Sequence, residues 1–277
     1  MPAMSGAGMA SPALPRELVP VLETKGLTRS FGGVRAVSGV SVSVGDGELR
    51  GVIGPNGAGK STFFNLISGH LMPDEGTITF RGRRIERRSP RDRARLRISI
   101  VFQAARLFGG MTVLENVMVG AHVWSRHGFV SAALRLPGQK AEERQIRRRA
   151  EEAIERVGLG DWAARQADSL PLGQQRSLQV ARSLCGQPEL LLLDEPASGL
   201  RAAERDALGD LLSGLKEEGL TIMLVEHDVA FVSRLADVVT VLDLGTVIAE
   251  GPPGQVLREP AVIAAYIGQE DTRAEGH

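Results

Sequence analysis

The sequence predicts an α/β fold built on a mainly parallel sheet, with an N-terminal antiparallel β subdomain and an inserted helical subdomain. Apolar runs without alternation occur at residues 98–102, 190–193 and 220–225, and such runs are typical of strands buried on both faces of a parallel sheet. Residues 40–44 instead alternate with period two and lead into an Asp-Gly turn, which indicates antiparallel strands. Residues 113–170 show helical spacing without a comparable strand pattern, so they are interpreted as the inserted helical subdomain.

Local signals predict how these elements are connected. Residues 49–53 form a strand-like run, and Phe63, Leu66 and Ile67 then recur at helical spacing before Gly69, a residue suited to end a helix. Helical stretches between the later apolar runs are expected to form right-handed βαβ crossovers, and they cover residues 174–184 and 204–215. Two last strand-like runs around a glycine turn predict a hairpin over residues 238–242 and 246–249.

Length and composition are those of a globular domain with a sizeable core. The chain has 277 residues, 43% hydrophobic and 24% charged, with a formal net charge of zero, so bulk charge offers no general attraction to nucleic acid. Its single cysteine, Cys185, lies among leucines and alanines, which favours a small core residue over a reactive thiol. No apolar stretch approaches the ~18 residues that a membrane span needs.

We expect a disordered extension over residues 1–20, one domain over 21–268 and a flexible tail over 269–277.

One segment is unusually rich in arginine. Residues 81–97 contain nine arginines against two acidic residues. A run of this kind is most often a solvated face, and a docking surface is the alternative. We therefore expect these arginines to face solvent.

The firmest chemical motif is a glycine-rich loop between a strand and a helix. Residues 54–61 match the phosphate-loop pattern G-x-x-x-x-G-K-[ST], and the flanking strand and helix supply the context that the motif requires. Glycines without side chains let backbone N–H groups surround phosphate oxygens at the positive end of the helix dipole. Lys60 is expected to bind the β- and γ-phosphates, and the Ser61 hydroxyl to ligate Mg²⁺. The predicted nucleotide-binding residues here are Gly54, Pro55, Asn56, Gly57, Ala58, Gly59, Lys60, Ser61 and Thr62.

A second motif is a leucine strand that ends in two carboxylates. Residues 190–193 are all leucine and precede Asp194 and Glu195, which puts both acids at the carboxyl edge of the sheet, where α/β proteins bind ligands. Asp194 is the expected Mg²⁺ partner of the phosphate loop, and Glu195 is suited to orient or deprotonate an attacking water. The two motifs together predict an ATP-hydrolysing enzyme; an ordinary strand-end pair of carboxylates is the alternative reading of the second one.

These motifs, in this order, resemble those of the ABC ATPases over about residues 22–251. The resemblance implies a P-loop NTPase with a RecA-like, mainly parallel sheet that binds ATP and Mg²⁺ and hydrolyses ATP. It also implies that Gln103 contacts Mg²⁺ and the attacking water, and that His227 contacts the γ-phosphate. Phe31 is similar to the aromatic residue that stacks on adenine in this family, with a core phenylalanine as the alternative.

The segment that resembles the signature L-S-G-G-Q of this family departs from it. In the family each ATP lies between the phosphate loop of one subunit and the signature segment of the other. Here residues 170–174 read L-P-L-G-Q; Pro171 brings neither a hydroxyl nor an N–H, while Gly173 and Gln174 remain as expected nucleotide contacts. Arg201 also stands where the family usually has Asp or Asn. We expect a complete hydrolytic half and a weakened half that is offered to the partner.

Further short segments of the sequence resemble those of the ATPase subunits of importers of branched-chain and other hydrophobic amino acids. They are found at residues 31–33, 64–69, 106–108, 111–117, 226–228, 248–251 and 265–268. The resemblance implies transmembrane permease subunits, a second and non-identical ATPase subunit and, indirectly, an external solute-binding protein, but no nucleic acid. It also implies a peripheral location at the cytoplasmic face of the cell membrane.

Two alternatives stay open at this point, and a third is disfavoured. One is the ATPase subunit of a lipid-export ABC machine. Another is a non-transport ABC protein acting on nucleic acid or ribosomes, although such proteins usually carry a second cassette or long coiled-coil arms. A simple P-loop kinase would need neither Gln103 nor His227. The transported solute and the choice between homodimer and heterodimer do not follow from the sequence, because the solute never touches an ATPase subunit.

Overall fold

The computed structural model describes residues 19–103, 107–121 and 137–266. The predicted extension over residues 1–20, apart from its last two residues, and the predicted tail over residues 269–277 lie outside this part of the chain. Residues 122–136 of the predicted helical subdomain lie outside it as well. Among the described residues, no helix combines the length and apolar character needed to cross a bilayer.

The strands form two sheets. In chain order they are β1 (Leu22–Phe31), β2 (Val34–Val44), β3 (Leu49–Ile53), β4 (Glu75–Phe80), β5 (Arg83–Arg84), β6 (Ile98–Val101), β7 (Leu190–Asp194), β8 (Thr221–Val225), β9 (Val238–Asp243) and β10 (Thr246–Gly251). The first sheet is antiparallel with the order β2-β1-β4-β5, and the second has the order β10-β9-β3-β8-β7-β6. All pairs in the second sheet are parallel except β9 with β10. The predicted fold class is therefore confirmed, while β4 and β5 are strands that the sequence patterns did not indicate.

The α-helices connect and cover these sheets. They are α1 (Lys60–Ser68), α2 (Pro90–Arg95), α3 (Val113–Val119), α4 (Pro137–Arg156), α5 (Leu172–Leu184), α6 (Ala202–Glu217), α7 (Val229–Leu235) and α8 (Pro253–Val256). Helix α1 ends at Gly69, whose φ of 85° is the left-handed conformation that glycine adopts without strain. Helix α3 begins with a capping box in which Thr112 and Glu115 bind each other's backbone N–H groups.

The leucine strand β7 is buried on both faces. Leu190 and Leu192 pack in a cluster with α1 and the antiparallel sheet, whereas Leu191 and Leu193 pack in a second cluster with the helical layer. Neighbouring side chains on a strand point to opposite faces, so an unbroken leucine run supplies both layers. Each fully buried leucine contributes about 1.5–3 kcal/mol to folding, and the strand end that carries Asp194 is thereby held rigidly.

The helical layer is formed by α3, α4 and α5, which pack against one another. Helix α5 thus belongs by its contacts to this layer, and it also packs against α6 and β6. It therefore connects the helical layer to the parallel sheet. Because the signature segment opens α5, the orientation of that segment depends on how this layer is seated on the sheet.

The arginine-rich segment contains one buried member. Arg93, in α2, is only 1% exposed. Its guanidinium donates to the carbonyl oxygens of Leu66 and Ile67 at 2.6 and 2.5 Å, and to those of Glu86 and Arg88 at 3.1 Å each. The expectation of a solvated arginine face is therefore wrong for Arg93, which binds carbonyls that the C-terminus of α1 leaves without helical partners.

Candidate functional site

The phosphate loop lies between β3 and α1, at the carboxyl edge of the parallel sheet. Two of its glycines are required by close packing. A Cβ on Gly54 would lie 2.0 Å from the carbonyl oxygen of Leu242, and one on Gly59 would lie 2.1 Å from that of Ala36. Both residues also have positive φ, 150° and 95°. Glycine is therefore needed here for space and for conformation, and the loop is wedged between the C-terminal hairpin and the antiparallel sheet.

Lys60 is folded back onto the loop. Its ammonium group donates to the carbonyl oxygens of Gly54 and Pro55 at 2.7 and 2.9 Å, and the residue is 7% exposed. Burial lowers the pKa of this ammonium group, while the charges of Glu195 and Asp194 act in the opposite direction. The carbonyl oxygens and the nearby carboxylates stabilise the positively charged ammonium group of Lys60 in the loop. A phosphate group of a bound nucleotide would be a stronger hydrogen-bond partner for this ammonium group.

The two carboxylates follow β7 directly. Burial raises the pKa of Asp194, the nearby charge of Glu195 raises it further, and Lys60 lowers it. Glu195 has a φ of 44°, an uncommon conformation for a residue other than glycine, and its backbone N–H donates to Val225 O at 2.9 Å. The chain therefore turns sharply at Glu195, and both acids lie close to Lys60.

Gln103 and His227 reach the same edge from neighbouring strands. The side-chain amide of Gln103 donates to Oε2 of Glu195 at 2.8 Å and to the Ser198 hydroxyl at 3.4 Å. Nδ1 of His227 lies 3.8 Å from the same Oε2, and its side chain is 60% exposed. The structure thus brings together three residues that follow β6, β7 and β8.

Glu226 is a neighbour of this site that the sequence interpretation did not assign a role. It is fully buried, and burial raises the pKa of its carboxyl group. Its Oε1 accepts from the backbone N–H of Ala197 at 2.8 Å, and its Oε2 from that of His227 at 3.2 Å. In the sequence, Glu226 is recognisable only as a charged residue beside the histidine at the end of an apolar strand. Its partner Ala197 is distant in the sequence, so this contact could not be predicted from local patterns.

The signature segment faces a different part of the molecule. Pro171 is the N-cap of α5 and makes no side-chain capping bond, and Leu172 is 40% exposed. The backbone N–H of Gly173 donates to Oε1 of Glu204 at 3.3 Å, in the first turn of α6. Gln174 follows in α5 and is partly exposed. The contacts of this segment thus lead to α6, the helix that begins just after Arg201.

Phe31 ends β1 and is 44% exposed. The guanidinium of Arg29 lies 4.9 Å from the centroid of its ring. A ring with this exposure is not a core residue, which removes the alternative interpretation of Phe31. The neighbouring strand β2 touches the phosphate loop through Ala36, so this hairpin borders the loop.

A glycine loop that holds a buried lysine, set beside a strand that ends in two carboxylates, defines a P-loop nucleotide-hydrolysing protein. A model of the ABC transporter family matches residues 37–198 of the chain. A second family model, described as branched-chain amino acid ATP-binding cassette transporter, matches residues 246–272. The chain therefore belongs to the ABC transporter family, as an ATP-binding and ATP-hydrolysing subunit. The family predicted from the sequence is confirmed.

Individual relatives agree with this assignment. The chain is 41% identical over 251 residues to the high-affinity branched-chain amino acid transport ATP-binding protein LivG of Salmonella typhimurium, covering 90% of this chain and 98% of the relative. It is 39% identical over 251 residues to BraF of Pseudomonas aeruginosa, with the same coverage. The ADP conformation of an ATP-binding cassette from an ABC transporter has a TM-score of 0.79, with 31% identity and coverage of 90% of this chain and 99% of that one.

Proposed function

We propose that this chain energises an importer of branched-chain or other small hydrophobic amino acids, with Glu195 as the residue that activates water for ATP hydrolysis. The observation that carries the catalytic part is the convergence on one carboxylate oxygen: Oε2 of Glu195 accepts from Gln103 at 2.8 Å and lies 3.8 Å from Nδ1 of His227. Such a cluster, at the edge of the sheet that also holds the phosphate loop, is suited to an attack on a γ-phosphate.

Each residue has a step in this scheme. The backbone N–H groups of the loop and the ammonium of Lys60 bind the β- and γ-phosphates, with Lys60 leaving the carbonyls of Gly54 and Pro55. Glu195 accepts the proton of a water molecule that attacks the γ-phosphorus, as the bond to ADP breaks. Gln103 orients this water, and His227 donates to the γ-phosphate.

The residues at the site also fit Mg²⁺. The Ser61 hydroxyl is exposed at the start of α1, and the pKa of Asp194 is raised partly by the nearby charge of Glu195, so a cation would relieve repulsion between the two acids. Ser61, Asp194 and the side-chain oxygen of Gln103 are the oxygen ligands that Mg²⁺ prefers. When bound, the ion supplies positive charge to the phosphate oxygens of the nucleotide.

The adenine and the second half of the site involve other surfaces. The exposed face of Phe31 suits stacking with adenine. The signature segment, including Gly173 and Gln174, is proposed to meet the nucleotide held by a second ATPase subunit of non-identical sequence. Pro171 and Arg201 weaken that contact, because a proline has no N–H to donate and Arg201 lacks the carboxylate or amide usual at its position.

The permease is proposed to dock between the helical layer and the parallel sheet. A cavity of about 350 Å³ opens there, bordered by Ile98, Phe108, Val119 and Arg182. Phe108 is 44% exposed, so a short amphipathic helix of a membrane subunit would cover it. This docking would hold the chain at the cytoplasmic face of the membrane. The amino-acid class is supported by the match over residues 246–272 and by the names of the relatives.

The hydrolytic role is tested with Glu195→Gln, which keeps the size of the side chain and removes the base. We expect kcat for ATP to fall by about 100-fold or more, with nucleotide affinity retained. The matched control is Glu259→Gln, because Glu259 is exposed after α8. Undiminished hydrolysis by Glu195→Gln would refute the catalytic assignment.

The transport role needs the assembled complex in proteoliposomes. ATP-dependent uptake of leucine in the presence of a solute-binding protein, lost with Glu195→Gln, is the expected result. ATP hydrolysis that responds to a lipid substrate and to no amino acid would instead refute the proposed cargo class.

A further inference from the structure

Arg176 lies where three parts of the proposed catalytic machinery meet. It is in the second turn of α5, the helix opened by the signature segment. Its guanidinium donates to the carbonyl oxygen of Gln103 at 3.0 Å and to that of Ser198 at 3.3 Å. The first carbonyl belongs to the residue after β6 that reaches Glu195, and the second belongs to the loop that follows Glu195. One side chain thus joins the helical layer to both loops.

Gln103 and Ser198 both lie in turns beyond the ends of their strands. Gln103 lies just beyond β6, an edge strand that pairs with β7, so its position depends on contacts outside the sheet ladder. Ser198 lies in the turn after β7, and its hydroxyl accepts from the Gln103 amide at 3.4 Å. Since Arg176 binds both carbonyls, it sets the distance between the two backbones. The hydrogen bond from Gln103 to Glu195 depends on that distance.

A second residue also supports the turn at Glu195. The buried carboxylate of Glu226 accepts from Ala197 N at 2.8 Å, and its charge attracts Arg176. The backbone at Glu195, with a φ of 44°, is costly by about 1 kcal/mol or more unless its surroundings hold it. Glu226, through Ala197, and Arg176, through Ser198, together supply such support.

A charged side chain at position 176 lowers the stability of the fold more than an apolar side chain would, so packing alone does not explain Arg176. Burial lowers the pKa of its guanidinium, and its Nε has no hydrogen-bond partner among the residues that the structure describes. A half-buried cation with an unsatisfied donor is less favourable for folding than an apolar side chain of similar volume. A half-buried arginine whose guanidinium donates to two loop carbonyls therefore indicates a task that depends on directed hydrogen bonds.

We propose that Arg176 is a positioning residue for ATP hydrolysis, which couples the orientation of the signature helix α5 to the alignment of Gln103 with Glu195. This inference rests on the proposed roles of Gln103 and Glu195. A tilt of α5, whose N-terminus faces the partner subunit's nucleotide, moves the guanidinium and with it both loop carbonyls. Nucleotide binding in the partner subunit thereby affects the alignment of Gln103 with Glu195 in this chain.

The test compares Arg176→Gln and Arg176→Lys with the unchanged chain in steady-state ATP hydrolysis. We expect Arg176→Gln to lower kcat about tenfold, the effect of one charge-assisted hydrogen bond, while KM for ATP changes less than about twofold. Arg176→Lys keeps the charge but has a single donating nitrogen in place of the guanidinium fork, and we expect it to recover part of the loss. The matched control is Arg147→Gln, since Arg147 is an exposed helical arginine paired with Glu151.

A double variant separates positioning from general destabilisation. If Arg176 acts through Gln103, then Arg176→Gln lowers kcat by less than about twofold when Gln103→Ala is already present. A full tenfold loss in both backgrounds, or a rise in KM with kcat unchanged, overturns the proposal. If Arg176→Gln does not fold, Arg176→Lys is carried through the same cycle. Failure of the catalytic assignment is recognised separately, because Glu195→Gln would then retain activity.

Discussion

The side-chain amide of Gln103 donates to Oε2 of Glu195 at 2.8 Å, although 92 residues separate the two in the chain. Gln103 follows β6 and Glu195 follows β7, and these strands are parallel neighbours in the second sheet. Parallel pairing therefore brings both strand ends to one edge.

Replacing Gln103 tests this relationship. We expect Gln103→Ala to lower kcat for ATP by about ten- to 100-fold, because Glu195 loses its donor and the water its orienting group. Nucleotide affinity, measured by titration with a fluorescent ATP analogue, should change less than about threefold, since the phosphate loop is untouched. Gln255→Ala, on the exposed side of α8, is the control. A normal rate for Gln103→Ala would contradict the assignment.

Restoring a serine tests the weakened signature segment. Pro171 is the N-cap of α5 and makes no capping bond with its side chain. Pro171→Ser adds a hydroxyl and an N–H, so we expect ATP hydrolysis by the assembled complex to rise about tenfold. A serine N-cap should also stabilise the isolated chain by about 0.5–1 kcal/mol, which thermal unfolding measures independently. A more stable chain with an unchanged rate would mean that this segment does not limit hydrolysis.

The buried arginine of α2 allows a stability prediction. Arg93→Met leaves the carbonyls of Leu66 and Ile67 without the donors that they have now. We expect the free energy of unfolding to fall by about 2–4 kcal/mol, measured by urea denaturation. Arg91→Met, on the exposed side of the same helix, should change it by less than about 0.5 kcal/mol. Equal effects of the two substitutions would mean that the buried hydrogen bonds contribute little.

The single cysteine gives a prediction about reactivity and pH. Cys185 is fully buried, and burial raises the pKa of its thiol to about 11, with Arg149 acting weakly in the opposite direction. Only the thiolate reacts readily, so near pH 8 roughly one thiol in 1,000 is in the reactive form. Alkylation by iodoacetamide should thus be at least about 100-fold slower in the folded chain than in urea, as mass spectrometry would follow. Comparable rates in both states would show that the site opens readily.

Local patterns in the sequence predicted the large elements well. The strand over residues 49–53 and the helix ended by Gly69 agree with β3 and α1. The leucine strand and the closing hairpin agree with β7 and with β9 and β10. Strands β4 and β5 were missed. The first carries a short Gly- and Thr-containing pattern, and the second has two residues whose pairing depends on the neighbouring strand.

The candidate site was less completely predictable. The phosphate loop could be recognised because its function requires particular residues at fixed spacing. The roles suggested for Gln103 and His227 came from resemblance and order along the chain. The involvement of Glu226 and Arg176 had no local signature, since each contacts residues from distant segments. Only the packed arrangement of β6, β7, β8 and α5 reveals these partners.

The sequence by itself determined the phosphate loop, the strand that ends in two acids and the order of the elements that carry them. These features depend on residue type and spacing within a few turns or one strand, which is the range over which backbone preferences act. The tertiary structure decided which arginine of residues 81–97 is buried and which side chains meet around Glu195. Such contacts arise when strands and helices far apart in the chain pack together, so their geometry depends on the whole core and not on any one segment.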